Sequence, residues 1–297
     1  MAVAKKKDDL PRGLNKSFML HRGVWMWDNS QPELFTNFKG RPSDIWVCSF
    51  PRSGTTLVQE ITYLVETLDF EGAAKRPLDE RFPFADVYNE DLPFYKGLVG
   101  LDEAPSPRLI KTHFHYFLLP EDLKRGCGKV INVYRNPKAV VVSLYKLLKF
   151  LRTPMADSLE EFIEMFLEDK VYGSPWAAHV REFLEHRDDG NILVLKYEDI
   201  IEDKVSAIRK IASFLNRDLS SKDISKIVEY TDIENMRKNG MVNFAVQERV
   251  WNTDKSEGEF INTGNTGGWE NIIPPHLQAK IDCMLEEKFG ATDKTFN

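Results

Sequence analysis

The sequence predicts an α/β fold, with a single domain built on a parallel β-sheet that has helices on both faces. Short segments rich in apolar and β-favouring residues alternate with longer segments whose apolar residues recur at helical spacing. Strands that alternate with helices in this way favour a parallel sheet. The chain has 297 residues, 42% of them hydrophobic, which is enough for one large core, and no stretch has the composition of a domain linker.

Four segments are predicted to be strands of this sheet, and they cover residues 44–49, 108–113, 129–134 and 192–197. Helices are predicted at residues 57–65, 138–151, 158–167, 176–186, 204–215, 222–230 and from 274 to about 289. Proline, aspartate and aromatic residues crowd residues 69–107, which predicts loop and short helix there. These aromatic residues are candidates to line a substrate pocket, because loops at the carboxyl ends of strands usually carry specificity.

The first 43 residues are polar and predict a flexible arm that is followed by a segment packed on the domain. We expect three aromatic side chains of this region to act as packing anchors: Trp25, Trp27 and Phe35. The chain is therefore divided into an N-terminal arm and packing segment, residues 1–40, and one main domain, residues 41–297.

Composition excludes several classes of function. The net charge of −6 argues against a protein that binds nucleic acid over a broad surface, although it allows a local basic pocket. The first residues carry no apolar leader, and no apolar run is long enough to cross a bilayer. Cys48, Cys127 and Cys283 are widely spaced and odd in number, which predicts reduced thiols. We expect a cytoplasmic protein with no nucleic-acid partner and no membrane partner.

Residues 49–56, between the first predicted strand and the first predicted helix, have the composition of an anion-binding turn. Backbone N–H groups of such a turn point outward, and the helix dipole adds positive potential. A cation, a glycine and three hydroxyls complete the turn: Arg52, Gly54, Ser53, Thr55 and Thr56. An ordinary strand-to-helix turn with a capping Ser or Thr fits the same residues. The pattern G-x-x-x-x-G-K-[ST] cannot be written through the turn, so we expect a phosphate or sulfate bound without metal.

Reactive or anion-binding residues lie at the carboxyl ends of all four predicted strands, where ligands bind in such sheets. These residues are Arg52 with Ser53, Lys111 with His113, Arg135, and Tyr197. Lys111 and His113 are two residues apart, so their side chains share one face of the strand and place a base beside a cation. Ser143 follows Arg135 near the start of the next helix. Each residue alone also fits a structural role, as a hydrogen-bonded histidine, a surface ion pair or a hydroxyl bonded to its own helix.

These motifs occur in the order typical of the cytosolic sulfotransferases, and the chain resembles that family from about Arg41 to its end. The motifs are residues 50–56, 111–113, 135–138 with Ser143, 196–199, and 264–269. Within the family the resemblance is strongest to the brain-type orphan sulfotransferase, through residues 41–44, 151–153 and 179–187.

The resemblance implies transfer of a sulfuryl group from PAPS (3′-phosphoadenosine 5′-phosphosulfate) to a hydroxyl or amine of a small acceptor of the phenol, monoamine or steroid type. It implies in-line transfer without metal, with His113 as the base and with Lys111 and Arg52 stabilising charge. An unperturbed imidazole titrates near pH ~6.5, which suits a base at neutral pH. The turn from Arg52 to Thr56 would hold the phosphosulfate. Further nucleotide contacts are implied for Arg135 and Ser143 at the 3′-phosphate, Tyr197 and Thr231 at the adenosine, and Asn262, Thr263 and Gly264 in place of a phosphate clamp.

The chain departs from the family pattern at several of these positions. Arg52 stands where the family has a lysine, which keeps the charge but replaces a point charge by a planar fork. Leu57 and Ile233 replace the two aromatic residues that stack on adenine, and Asn262 and Thr263 replace the Arg-Lys pair of the clamp. The family's C-terminal dimer motif is missing, which predicts a monomer or a different dimer; its place is taken by Glu270, Pro274, Pro275 and Ala279.

Three interpretations therefore compete. The first is a working sulfotransferase, and the second is a catalytically weak relative that binds nucleotide or a protein partner. The third is a kinase-type phosphotransferase, which the sequence disfavours because the lysine-hydroxyl loop and a magnesium-binding carboxylate pattern are missing.

Overall fold

The structure, a computed structural model, describes residues 17–89, 95, 97–249, 253–261, 264, 266–290 and 296. It begins with an antiparallel hairpin formed by β1 (Phe18–His21) and β2 (Val24–Trp27), which is followed by the short helix α1 (Pro32–Asn37). The expectation that the chain is loop-like up to residue 43 is therefore wrong for the hairpin and for the short helix.

The hairpin turns at Arg22 and Gly23, whose φ angles of 50° and 88° are both positive, as the favoured two-residue hairpin turn requires. Each strand has only four residues and β2 is apolar throughout, so the alternation that marks a strand is not visible in the sequence. Trp25 and Phe35 are buried and confirm the prediction of packing anchors. Trp27 is partly exposed, because it lines the cavity described below.

Four parallel strands form the central sheet: β3 (Ile45–Cys48), β4 (Leu109–Thr112), β5 (Lys129–Tyr134) and β6 (Ile192–Lys196). Their order in the sheet is β4-β3-β5-β6, with Val47 beside Lys111 on one side and beside Ile131 on the other. After β4 the chain crosses to the far side of β3. The loops that follow β3 and β5 therefore lie at a topological switch point, where ligands bind in open α/β sheets.

The helices pack on both sides of the sheet, which confirms the predicted fold class. They are α2 (Thr55–Thr67), α3 (Phe70–Lys75), α4 (Leu78–Arg81), α5 (Glu121–Lys124), α6 (Pro137–Phe150), α7 (Leu159–Leu167), α8 (Trp176–Glu185), α9 (Tyr197–Glu202), α10 (Lys204–Leu215), α11 (Ser221–Tyr230), α12 (Ile233–Lys238) and α13 (Pro275–Phe289). Every predicted helix is present within two residues of its predicted ends. The last predicted strand is one residue too long, because Tyr197 begins α9 and does not end β6.

Both faces of the sheet are buried, as is usual for parallel strands. One face packs against α2, α10 and α11 through Ile45, Val47, Ile131 and Val133. The other face packs against the hairpin, α1 and α8 through Trp46, Cys48, Ile110 and Val130. Within the described ranges, no helix combines the length and the apolar character that crossing a membrane requires.

Candidate functional site

A cavity of about 860 Å³ runs along the carboxyl ends of the strands. It is lined by the described site residues predicted from the sequence, apart from Ser53: Arg52, Gly54, Thr55, Thr56, Lys111, His113, Arg135, Ser143, Tyr197, Thr231 and Gly264. Ser53 is fully buried beneath the turn, and its hydroxyl finds no partner among the described groups. Asn262 and Thr263 lie outside the described residues.

The turn between β3 and α2 has the geometry of an anion site. Gly54 caps α2 with a φ of 104°, a conformation that other residues rarely adopt. A Cβ on Gly54 would lie 2.4 Å from the ring of Tyr197, so the turn also needs glycine for space. Ser49 Oγ and Thr55 Oγ1 are 2.6 Å apart and hold the turn closed. The free N–H groups of the first turn of α2 therefore face the cavity with the positive end of the helix dipole.

Arg52 joins three parts of the cavity wall. Its Nε donates to Ser143 Oγ of α6 at 2.9 Å, and its Nη2 donates to the carbonyl of Phe260 at 3.0 Å. Burial and the neighbouring charge of Arg135 lower the pKa of Arg52 to about 10, so the side chain remains a cation at neutral pH. Ser143 thus contacts the arginine of the turn, a contact that the sequence did not predict.

Arg135 and Tyr197 form the next part of the wall, at the ends of β5 and β6. The guanidinium of Arg135 lies 4.4 Å from the centroid of the Tyr197 ring, and its Nη1 donates to the carbonyl of Arg52 at 3.4 Å. Tyr197 Oη donates to the carbonyl of Gly264 at 3.1 Å. Burial raises the pKa of Tyr197, which keeps its hydroxyl neutral. Two cations, Arg52 and Arg135, therefore stand side by side at the switch point.

His113 has one ring nitrogen fixed and one available. Its Nδ1 lies 2.8 Å from the carbonyl oxygen of Ser49, which can only accept, so Nδ1 carries the proton. Among the described residues no group donates to Nε2, which is then an unprotonated acceptor. Burial and the charge of Lys111 hold the pKa of His113 well below its usual value. The imidazole is neutral at physiological pH, as a general base must be.

Lys111 lies beside His113 in the same cavity. Its Nζ is 4.1 Å from the centroid of the Phe84 ring, in a cation–π contact. Burial lowers the pKa of Lys111, while the carboxylates of Asp79 and Asp86 oppose that shift. Arg52, Lys111 and His113 therefore combine two cations and a neutral base in one cavity.

Asp86 is a residue of the site that the sequence analysis missed. Its carboxylate accepts from Thr112 Oγ1 and, at 2.6 Å, from the backbone N–H of His113. It reaches this place because the loop pairs with the outer edge of β4, where Ala85 N donates to the carbonyl of Lys111 at 2.9 Å. Burial raises the pKa of Asp86 to about 7. No spacing in the sequence links this loop to β4.

Three further cations that the sequence analysis did not select line the same cavity: Lys146, Lys204 and Arg237. Lys146 is three residues after Ser143 on α6, a spacing that puts both on one face of the helix and that was available in the sequence. Lys204 Nζ donates to the carbonyl of Thr231 at 2.7 Å. Leu57 and Ile233 also line the cavity and give it apolar walls.

The fold and this site together define a class of protein: an α/β protein with a cation-lined anion site beside a neutral histidine. The sequence assigns the class, since the family model described as "Sulfotransferase domain" matches residues 42–293. The chain belongs to this sulfotransferase family.

Two related proteins and one solved structure agree with this assignment. Sulfotransferase 4A1 of Homo sapiens is 35% identical over 268 residues, which are 89% of this chain and 87% of the human protein. Amine sulfotransferase of Oryctolagus cuniculus is 34% identical over 262 residues, 86% of this chain and 84% of the rabbit protein. A crystal structure of retinol dehydratase with retinol and PAP superposes with a TM-score of 0.85 at 25% identity, covering 98% of this chain and 96% of that chain.

Proposed function

We propose that this chain is a PAPS-dependent sulfotransferase that moves the sulfuryl group to a hydroxyl or amine of a small acceptor. The observation that carries the proposal is the neutral imidazole of His113, with Nε2 available, in one cavity with Lys111 and Arg52. Membership of the sulfotransferase family and the PAP in the retinol dehydratase structure support the choice of donor.

The residues around the turn fit a ligand with two separate anionic groups. The first turn of α2 and Arg52 would hold the phosphosulfate, and Arg135 with Ser143 would hold the 3′-phosphate. Tyr197, Thr231 and Gly264 would contact the adenosine between the apolar walls of Leu57 and Ile233. PAPS supplies an activated sulfuryl group whose leaving group is the 5′-phosphate of the nucleotide.

His113 acts on the acceptor. Nε2 takes the proton of the acceptor hydroxyl or amine while the acceptor atom forms its bond to sulfur and the bond from sulfur to the 5′-phosphate oxygen breaks. The electron pair of the broken bond leaves with the nucleotide. Lys111 and Arg52 offset the negative charge that builds up on the transferring group and on the leaving oxygen. Asp86 positions His113 through the backbone N–H.

The test is incubation of the chain with PAPS and a panel of phenols, monoamines and steroids, with sulfated product detected by mass spectrometry. We expect at least one class of acceptor to be sulfated in the presence of a metal chelator. Strict dependence of nucleotide binding on magnesium would contradict the metal-free chemistry proposed here. The cytoplasmic location and the absence of a nucleic-acid or membrane partner stay predictions from the sequence.

The second candidate is a catalytically weak relative that binds nucleotide or a protein partner. The replacement of both stacking aromatics by Leu57 and Ile233 favours it, because each stack on a base contributes ~1–3 kcal/mol. Nucleotide binding without product from any acceptor class would select this alternative.

A further inference from the structure

The acceptor end of the cavity contains a buried carboxylate that the proposed transfer does not use. Asp79 lies in the first turn of α4, is 9% exposed and lines the cavity. Its Oδ2 accepts from Tyr95 Oη at 3.0 Å and also from Gln247 Nε2. Both donors use the same oxygen, and no group in the described part of the chain donates to Oδ1. Asp79 therefore keeps one carboxylate oxygen for a ligand.

A continuous aromatic wall leads from Asp79 to His113. Tyr95 packs in one cluster with Phe84 and Trp27. The Phe84 ring centroid is 5.1 Å from that of His113. The Tyr172 ring centroid is 5.2 Å from that of Trp27 and 6.3 Å from that of His113, so Tyr172 also belongs to this wall. A flat aromatic acceptor with its hydroxyl at His113 would lie among these rings and extend toward Asp79.

Asp79 forms no ion pair with a lysine or arginine among the described residues, Lys111 included. Lys111 and Asp79 interact electrostatically without direct contact, because Lys111 Nζ lies over the Phe84 ring. The wall thus offers a carboxylate next to aromatic faces. Alkylammonium groups bind well to this combination, because the carboxylate accepts a charge-assisted hydrogen bond and the rings attract the cation.

We propose that Asp79 binds a protonated amine of the acceptor, so that this chain selects phenols that carry an alkylammonium group. The inference rests on the proposed sulfotransferase function, since it places the phenol hydroxyl at His113. An acceptor with an anionic tail would be repelled by Asp79, and a neutral tail would leave Oδ1 without a donor.

Three phenols of similar shape test the proposal: tyramine, para-propylphenol and para-hydroxyphenylacetate, which are cationic, neutral and anionic. We expect wild-type kcat/KM to fall in that order. Asp79→Asn should lower kcat/KM for tyramine by about tenfold or more, leave para-propylphenol within about twofold, and improve the anionic phenol. Glu80→Gln is the matched control, because it makes the same change at the exposed neighbouring position and should alter none of these values.

Equal losses with tyramine and para-propylphenol would show that Asp79 only supports the pocket, and would overturn the proposal. If Asp79→Asn does not fold, the order of the three phenols on the wild-type chain still decides, and a preference for the neutral phenol overturns the proposal.

A second measurement separates this inference from the proposed function. Each phenol is titrated calorimetrically into the chain saturated with PAP. Tyramine that binds tightly through Asp79 without being sulfated contradicts the sulfotransferase function and supports the amine site. Sulfated para-propylphenol with no preference for tyramine supports the function and overturns the amine site.

Discussion

Replacing Arg52 by methionine separates the binding role of this side chain from its effect on stability. Arg52 makes hydrogen bonds to Ser143 and to the carbonyl of Phe260, and no described carboxylate pairs with it. Burial and the charge of Arg135 disfavour its charged form, which lowers its pKa to about 10. A buried cation that lies beside a second cation and has no carboxylate partner is typical of a site that binds an anionic ligand.

We expect Arg52→Met to weaken ligand binding but not to destabilise the free chain. A charged hydrogen bond contributes ~1.5–3 kcal/mol, and neighbouring contributions are not additive. We therefore expect Arg52→Met to weaken the binding of PAP by about 3 kcal/mol, which is roughly a hundredfold in affinity. The melting temperature of the free chain should stay unchanged or rise, because methionine fills similar space and removes an unfavourably placed charge.

Calorimetric titration with PAP and thermal unfolding of the free chain measure both effects. Arg209→Met, on the exposed side of α10, is the control and should change neither. The PAP affinity of Arg52→Lys should lie between those of wild type and Arg52→Met. A lysine keeps the charge, but it cannot donate to two phosphate oxygens at once as the planar guanidinium does. PAP affinity within twofold of wild type in Arg52→Met would refute the assignment of the turn to the nucleotide.

Three further predictions follow from other parts of the structure. The raised pKa of Asp86, about 7 against an ordinary 3.8, means that the folded chain binds the proton more tightly than the unfolded chain. The free energy of unfolding of wild type relative to Asp86→Asn should therefore fall as the pH rises from about 4 to 7, and a flat difference in chemical denaturation would contradict this. Lys146→Met should weaken PAP binding severalfold, and more so at low salt. If PAP affinity changes neither with the substitution nor, relative to wild type, with salt, Lys146 does not belong to the binding site. Light scattering at micromolar concentration should show a monomer, or a dimer through another surface; a dimer built on residues 269–279 would contradict the expectation drawn from Pro274 and Pro275.

The strand ends of the site could be predicted from the sequence because local pattern determines them. Arg52, His113, Arg135 and Tyr197 each follow an apolar strand, and parallel strands bring their carboxyl ends to one edge of a sheet. The contact between Arg52 and Ser143 was not predictable, since it depends on the angle between α2 and α6.

Asp79 and Asp86 could not be found in the same way. Both lie in residues 69–107, where the sequence predicts only loop and short helix, and their positions depend on contacts distant in sequence. Asp86 is placed by the pairing of residues 83–85 with Lys111, and Asp79 by Gln247 and Tyr95. The hairpin of β1 and β2 was missed for a related reason, because strands of only four residues are too short to show a clear alternation.

The central claim is that His113 is the base of a sulfuryl transfer, and the most direct test is the transfer rate of His113→Ala with PAPS and the best acceptor from the panel. Loss of a general base should lower the rate by ~10²- to 10⁴-fold. PAP affinity, measured by calorimetry on the same sample, should stay near that of wild type, because the proposed role of His113 is to contact the acceptor and not the nucleotide. A variant that keeps more than a few per cent of the wild-type rate would contradict the account.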